Sequence, residues 1–67
     1  MKAVLRISNM NSSADVNNVR KVIANNEGII ACQISKEKQE IDIVYDHFFI
    51  SEDQIVASLE DSGYTVL

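Results

Sequence analysis

Apolar and polar residues alternate with a period of two in some stretches of this chain and recur at helical spacing in others. In residues 2–8, Ala3, Leu5 and Ile7 fall on one side and Lys2, Arg6 and Ser8 on the other, which predicts a strand; Val4 interrupts the polar side. Val16, Val19 and Ile23, flanked by Val22, then recur at the spacing of a helix running from Ser12 or Ser13 to about Asn26. Ser12 and Asp15 have the spacing of a capping box, with Asp in place of the usual Glu or Gln. Asn25-Asn26-Glu27-Gly28 is a stop signal, with Gly28 expected at the left-handed closing position. Ile30, Cys32 and Ile34 alternate as the inward side of a second strand. Ile41, Ile43 and Tyr45 do the same in a third, and the polar turn Lys36–Gln39 joins the two into a hairpin. Ser51 and Gln54 form a second capping box, Ile50 and Ile55 a hydrophobic staple, and Glu52 and Asp53 suit the positive end of a helix dipole. Ile55, Val56 and Leu59 supply this helix's buried stripe. Ser62-Gly63 ends it, and residues 64–67 are expected to form a last strand.

The order is therefore β-α-β-β-α-β. Each helix has one apolar stripe and can cover only one sheet face, so the expected class is α+β. The expected arrangement is a ferredoxin-like βαββαβ sandwich, a four-stranded antiparallel sheet with both helices on one face. Right-handed crossovers put the first and third strands side by side at the centre. The loop at residues 9–15, the turn at 36–39 and the Gly63-Tyr64 junction then share one end of the sheet. Residues 46–50 and Glu27-Gly28 share the other, where Phe48 and Phe49 are expected to cover the core.

Composition narrows the partners. The 67 residues, 46% hydrophobic and 24% charged, suit one domain spanning 1–67, near the lower size limit for folding on a hydrophobic core alone. A single cysteine excludes an intrachain disulfide and fits a reducing, cytoplasmic setting. The first residues hold no long apolar run, so neither a signal peptide nor a membrane span is expected. The net charge is −4 and the basic residues Lys2, Arg6, Arg20, Lys21, Lys36 and Lys38 are scattered, which argues against nucleic-acid binding.

Between the first strand and the first helix stands Asn9-Met10-Asn11-Ser12-Ser13-Ala14-Asp15. Further on come Gly28-Ile29, Cys32, Ile34, Val44-Tyr45-Asp46, Ile55, Leu59 and Gly63-Tyr64. In this order and at this spacing, the chain resembles the heavy-metal-associated domain family over essentially its whole length. That family comprises the small copper chaperones and the N-terminal modules of metal-pumping ATPases, and carries Gly-Met-x-Cys-x-x-Cys after its first strand. The resemblance implies the fold and an ancestry in metal trafficking. It places Ser12 and Asp15 at the two family ligand positions. Soft Cu(I) prefers thiolates, whereas a serine hydroxyl and a carboxylate are hard oxygen donors, so this pair is a poor Cu(I) site and only a fragment of a Zn or Ca site.

The remaining candidates each have a plain structural use. Ser12 and Asp15 suit a helix cap. Met10 is expected in the core, as in the resembled family. Cys32 reads as a small buried hydrophobe, on a different element from the loop. His47 lies at the opposite sheet end, without the companions a zinc site needs. Tyr64 is expected to pack across the loop; in the resembled bacterial chaperones a tyrosine here shields the metal. The expected function is a small binding module with a degenerate metal loop, an accessory of metal homeostasis that no longer binds Cu(I) tightly and needs no cofactor. Its protein partner would be another metal-handling domain, met by Asn11, Asn17, Asn18, Arg20, Lys21 and Tyr64. The alternative is a carrier that holds a harder ion weakly through Ser12 and Asp15. Acylphosphatases share the fold, but the loop here lacks their arginine and no nucleophile–base pair can be named, so an enzyme is not expected.

Overall fold

The computed structural model describes residues 1–67. The elements in chain order are β1 (Lys2–Arg6), α1 (Ser13–Ala24), β2 (Ile29–Ser35), β3 (Glu40–Tyr45) and α2 (Glu52–Asp61). The sheet has the order β1-β3-β2, antiparallel throughout, so the first and third strands are neighbours as the crossover rule requires. Its inner face carries Ala3, Leu5, Ile41, Ile43 and Tyr45, all buried, against Val19 and Ile23 of α1 and Ile55 and Leu59 of α2.

Three expectations about the strands and the turn after β3 are corrected. First, the sheet has three strands, not four. Residues 64–67 make one isolated bridge, Ile7 to Val66, bracketed by Ser8 N–H donating to the Thr65 carbonyl (3.0 Å) and Leu67 N–H to the Arg6 carbonyl (2.9 Å). A ladder does not extend from it, because the Thr65 N–H donates to the Asn9 side chain at 2.9 Å instead of to a strand carbonyl. Second, Ile30 points outward. The pairing steps from Ile29 opposite Tyr45 to Ala31 opposite Val44, so two residues of β2 advance against one of β3. This bulge puts Ile29 on the inner face, and Ile30 is 68% exposed. Cys32 and Ile34, beyond the bulge, do face inward. Third, Phe48 and Phe49 do not cap the core; they are 85% and 68% exposed. Asp46 turns the chain, its carbonyl accepting from the Phe49 and Ile50 N–H groups and its carboxylate from Phe48 N–H. Ile50 is the side chain that turns inward.

Both helices start on complete capping boxes, Ser12 with Asp15 and Ser51 with Gln54. Their ends differ. At α2, Gly63 sits at φ +93°; its N–H donates to the Glu60 carbonyl and that of Tyr64 to the Leu59 carbonyl, both at 3.0 Å, a Schellman closure. At α1 the closing residue is not Gly28. The Asn26 side chain donates back to the Val22 carbonyl at 3.1 Å and accepts from the Ser58 hydroxyl of α2. Gly28, at φ +90°, serves the turn into β2. A Cβ there would come within 2.8 Å of Phe49 Cβ and 3.1 Å of Ile50 Cγ2.

Candidate functional site

The loop after β1 is held from three sides. Below it, Met10 is fully buried and anchors the turn in the core. On one flank, the Asn9 side chain donates to the Gly63 carbonyl at 3.0 Å and accepts from Thr65 N–H at 2.9 Å, clasping the segment after α2. On the other flank stands Gln39. Its side-chain amide donates to Asn11 Oδ1 at 2.6 Å, to the Met10 carbonyl at 3.3 Å and to the Ser8 carbonyl at 3.4 Å, while the Gln39 backbone carbonyl accepts from Ile7 N–H at 2.8 Å. Gln39 is the one non-glycine residue with positive φ, +55°, a conformation that costs an L-residue about 1 kcal/mol. The loop, the 36–39 turn and the Gly63-Tyr64 junction thus meet at one sheet end, as their order along the chain predicts.

Asp15 closes the front. Its Oδ2 accepts from the backbone N–H groups of Asn11 (3.1 Å) and Ser12 (3.2 Å), and its Oδ1 from the Tyr64 hydroxyl (3.1 Å). In return the Asp15 N–H donates to Ser12 Oγ at 3.1 Å. The Asn11 N–H, opposed by partial desolvation and assisted by the Tyr64 hydroxyl and Ser12, holds the carboxyl below its ordinary pKa. Tyr64 reaches this position because the Schellman closure turns the chain back over the loop; the residue is only 8% exposed.

The donor set that Ser12 and Asp15 offer is three oxygens, each already engaged in the cap or with Tyr64. Three of the roughly four lone-pair sites of the Asp15 carboxylate are already taken, which leaves an ion one open position there, and the pair offers no sulfur for a soft cation. No group of three or more His, Cys, Asp or Glu side chains in the structure is placed to hold a metal ion. Cys32 lies half-buried on β2, away from the loop; burial pushes its thiol pKa up and the Arg20 guanidinium pulls it partly back. His47 is at the far end, stacked on Phe48 with ring centroids 4.4 Å apart. Of the predicted partner contacts, Asn11, Asn17, Asn18, Arg20 and Lys21 are exposed at the start and along the outer face of α1, whereas Tyr64 is a wall of the loop. Asn9 and Gln39 were not singled out by sequence reasoning. Asn9, standing beside Met10 in a short loop, is a residue type that often bonds nearby backbone, but nothing about a glutamine ending a polar turn marks it.

No protein-family model and no curated protein sequence matches the chain. Solved structures do. The CopZ metallochaperone superposes with a TM-score of 0.95 at 21% identity, covering 100% of both chains. Oxidised MerP from Ralstonia metallidurans CH34 gives 0.94 at 22%, covering 100% of this chain and 93% of its own. A copper-binding domain from HMA7, a P-type ATPase, gives 0.93 at 23%, covering 98% and 89%. The fold is that of the heavy-metal-associated domain. The chain path follows that frame through its first five elements, with the loop of residues 9–15 at the junction of β1 and α1. No helix in it is long and apolar enough to cross a membrane.

Proposed function

We propose that this chain is a binding module of metal homeostasis, built on the heavy-metal-associated fold but not a tight Cu(I) carrier. The observation that carries the reading is the use already made of Asp15. Both carboxylate oxygens are occupied by N–H and O–H donors of the chain itself, so the loop is closed by internal hydrogen bonds. What remains presented to a partner is the outer face of α1, with Asn17, Asn18, Arg20 and Lys21 exposed. Two adjacent cations there favour an acidic partner face, and the nature of the structural neighbours, a metallochaperone and an ATPase copper-binding domain, suggests another metal-handling domain as that partner. The module is proposed to be non-catalytic and to span residues 1–67 as one domain.

The test is Cu(I) titration under reducing conditions against a chromophoric chelator, on the native chain and on the Ser12→Cys/Asp15→Cys double variant. The native chain leaves the chelator loaded; the double variant strips it of one equivalent while keeping the native circular dichroism. Stoichiometric capture by the native chain, abolished in Asp15→Ala, would overturn the reading and favour a carrier.

A further inference from the structure

The end of the molecule opposite the loop carries a second surface that the proposed function does not use. Between β2 and the turn after β3 runs a shallow groove lined by Glu27, Gly28, Ile29, Ile30, Asp46 and Phe49. Its apolar walls are Ile30, thrown outward by the bulge in β2, and Phe49. Phe48, next in the same turn, is also exposed, its ring stacked on His47. Scattered single apolar side chains on a surface need no explanation, but three large ones gathered on one turn and one strand end, two of them walling a common groove, mark an interaction site.

The charges around the groove say what would fill it. Glu27 and Asp46 line it and no lysine or arginine does. Glu52 and Asp53, in the first turn of α2, follow within a few residues of Phe49. On the sheet, Lys2 belongs to β1, separated from β2 by the whole of β3; the Met1 ammonium, 2.7 Å from the Tyr45 carbonyl, brings one positive charge to this end against the carboxylates of Glu27, Asp46, Glu52 and Asp53. An apolar cleft with an acidic rim accepts an apolar side chain flanked by cations: the apolar part gives affinity, the charges orientation and encounter rate. A second copy of this chain fits less well, because its own net charge is −4. We infer that the Ile30–Phe49 groove is a docking site for a basic protein segment in which an aliphatic or aromatic side chain is flanked by lysine or arginine. This partner is opposite in charge to the one expected at α1, so the molecule would contact two different proteins from its two faces.

The test is an NMR titration of the full 15N-labelled chain with a synthetic ten-residue peptide, a central Leu-Phe pair flanked by lysines, and with the same peptide carrying glutamates. The lysine peptide shifts the amides of Ile30, Asp46 and Phe49 and leaves Asn11 and Ser12 still. Its Kd rises at least tenfold in Ile30→Thr and again in Phe49→Ser; Ile30→Thr is the safer variant for the fold because Phe49 Cβ borders Gly28. Raising salt weakens the binding. Equal shifts with the glutamate peptide, or none with either, would overturn the inference. So would a concentration-dependent dimer in sedimentation that Phe49→Ser dissolves, which would assign the groove to a second copy. Shifts at the same amides with phosphatidylglycerol vesicles but not with the lysine peptide would assign it to a membrane surface and equally overturn it. None of these outcomes depends on whether the loop binds copper.

Discussion

The two ends of the sheet solve the same connection problem in opposite ways. At the loop end, Asn9, Gln39, Asp15 and Tyr64 tie three separate segments together through side chains. At the other end the tie is made largely by backbone: Asp46 N–H donates to the Gly28 carbonyl at 2.7 Å, and the Asp46 carbonyl receives Phe49 and Ile50. Where side chains stitch the chain, few are left for a ligand. Where backbone does it, Phe48, Phe49 and Ile30 stand free of internal duty. A surface that looks equipped with donors can therefore be the closed one, and a surface that looks like exposed core the open one.

Substitutions can break this contrast, the largest effect coming from the backbone-tied end. Gly28→Ala combines a left-handed φ with a Cβ pressed on Phe49 Cβ and Ile50, and should cost roughly 2–5 kcal/mol. Gly63→Ala shares the φ but meets nothing within 4 Å, so it should cost about 1–2 kcal/mol. Chemical denaturation of both variants reads the close approach as their difference; equal losses would show that Gly28 is needed only for its φ.

Asp15→Asn should come next, lowering the melting temperature less than Gly28→Ala but more than any other single change at the loop. Its effect has a pH signature. Because the folded pKa of Asp15 lies below its ordinary 3.8, the stabilisation is fully present above the unfolded value and is lost as pH falls through the folded one. Melting curves of native and variant chains should thus be separated at pH 6 and converge in strong acid. A separation unchanged by acid would mean the carboxylate charge is not what closes the loop.

Smaller again is Gln39→Ala, about 1–2 kcal/mol for the lost amide bonds. Gln39→Gly should recover about 1 kcal/mol of that by relieving the positive φ. If alanine and glycine prove equal, the strain at this turn is negligible. The smallest effect is Phe48→Ser, which should change stability by no more than about 0.5 kcal/mol, as expected of an exposed side chain; a larger loss would show that the aromatic pair belongs to the core after all.

Much of this was legible in the chain. The capping boxes at Ser12 and Ser51 fixed both helix starts, because a cap is a local contract between residues three apart. The alternation of Ile41, Ile43 and Tyr45 fixed the central strand, where both neighbours enforce the pleat. What escaped was non-local or depended on a single extra residue. Ile30 belongs to an unbroken apolar alternation on paper, and only the pairing with β3 reveals the bulge. The C-terminal residues have strand composition, yet the side chain of Asn9 takes the N–H that would have extended the pairing. Met10 and Tyr64 landed where the family resemblance put them, but the engagement of Asp15 by a phenol 49 residues away has no sequence signature.

The additional residue in β2 has an evolutionary corollary. Because the outward aim of position 30 is set by the pleat of the backbone, any side chain placed there is displayed, whatever its polarity. Substitution can retune that end of the molecule freely, from greasy to charged, without touching the interior. Deleting Ile30 would do what no substitution can: it would restore strict alternation along β2 and remove the displayed position altogether.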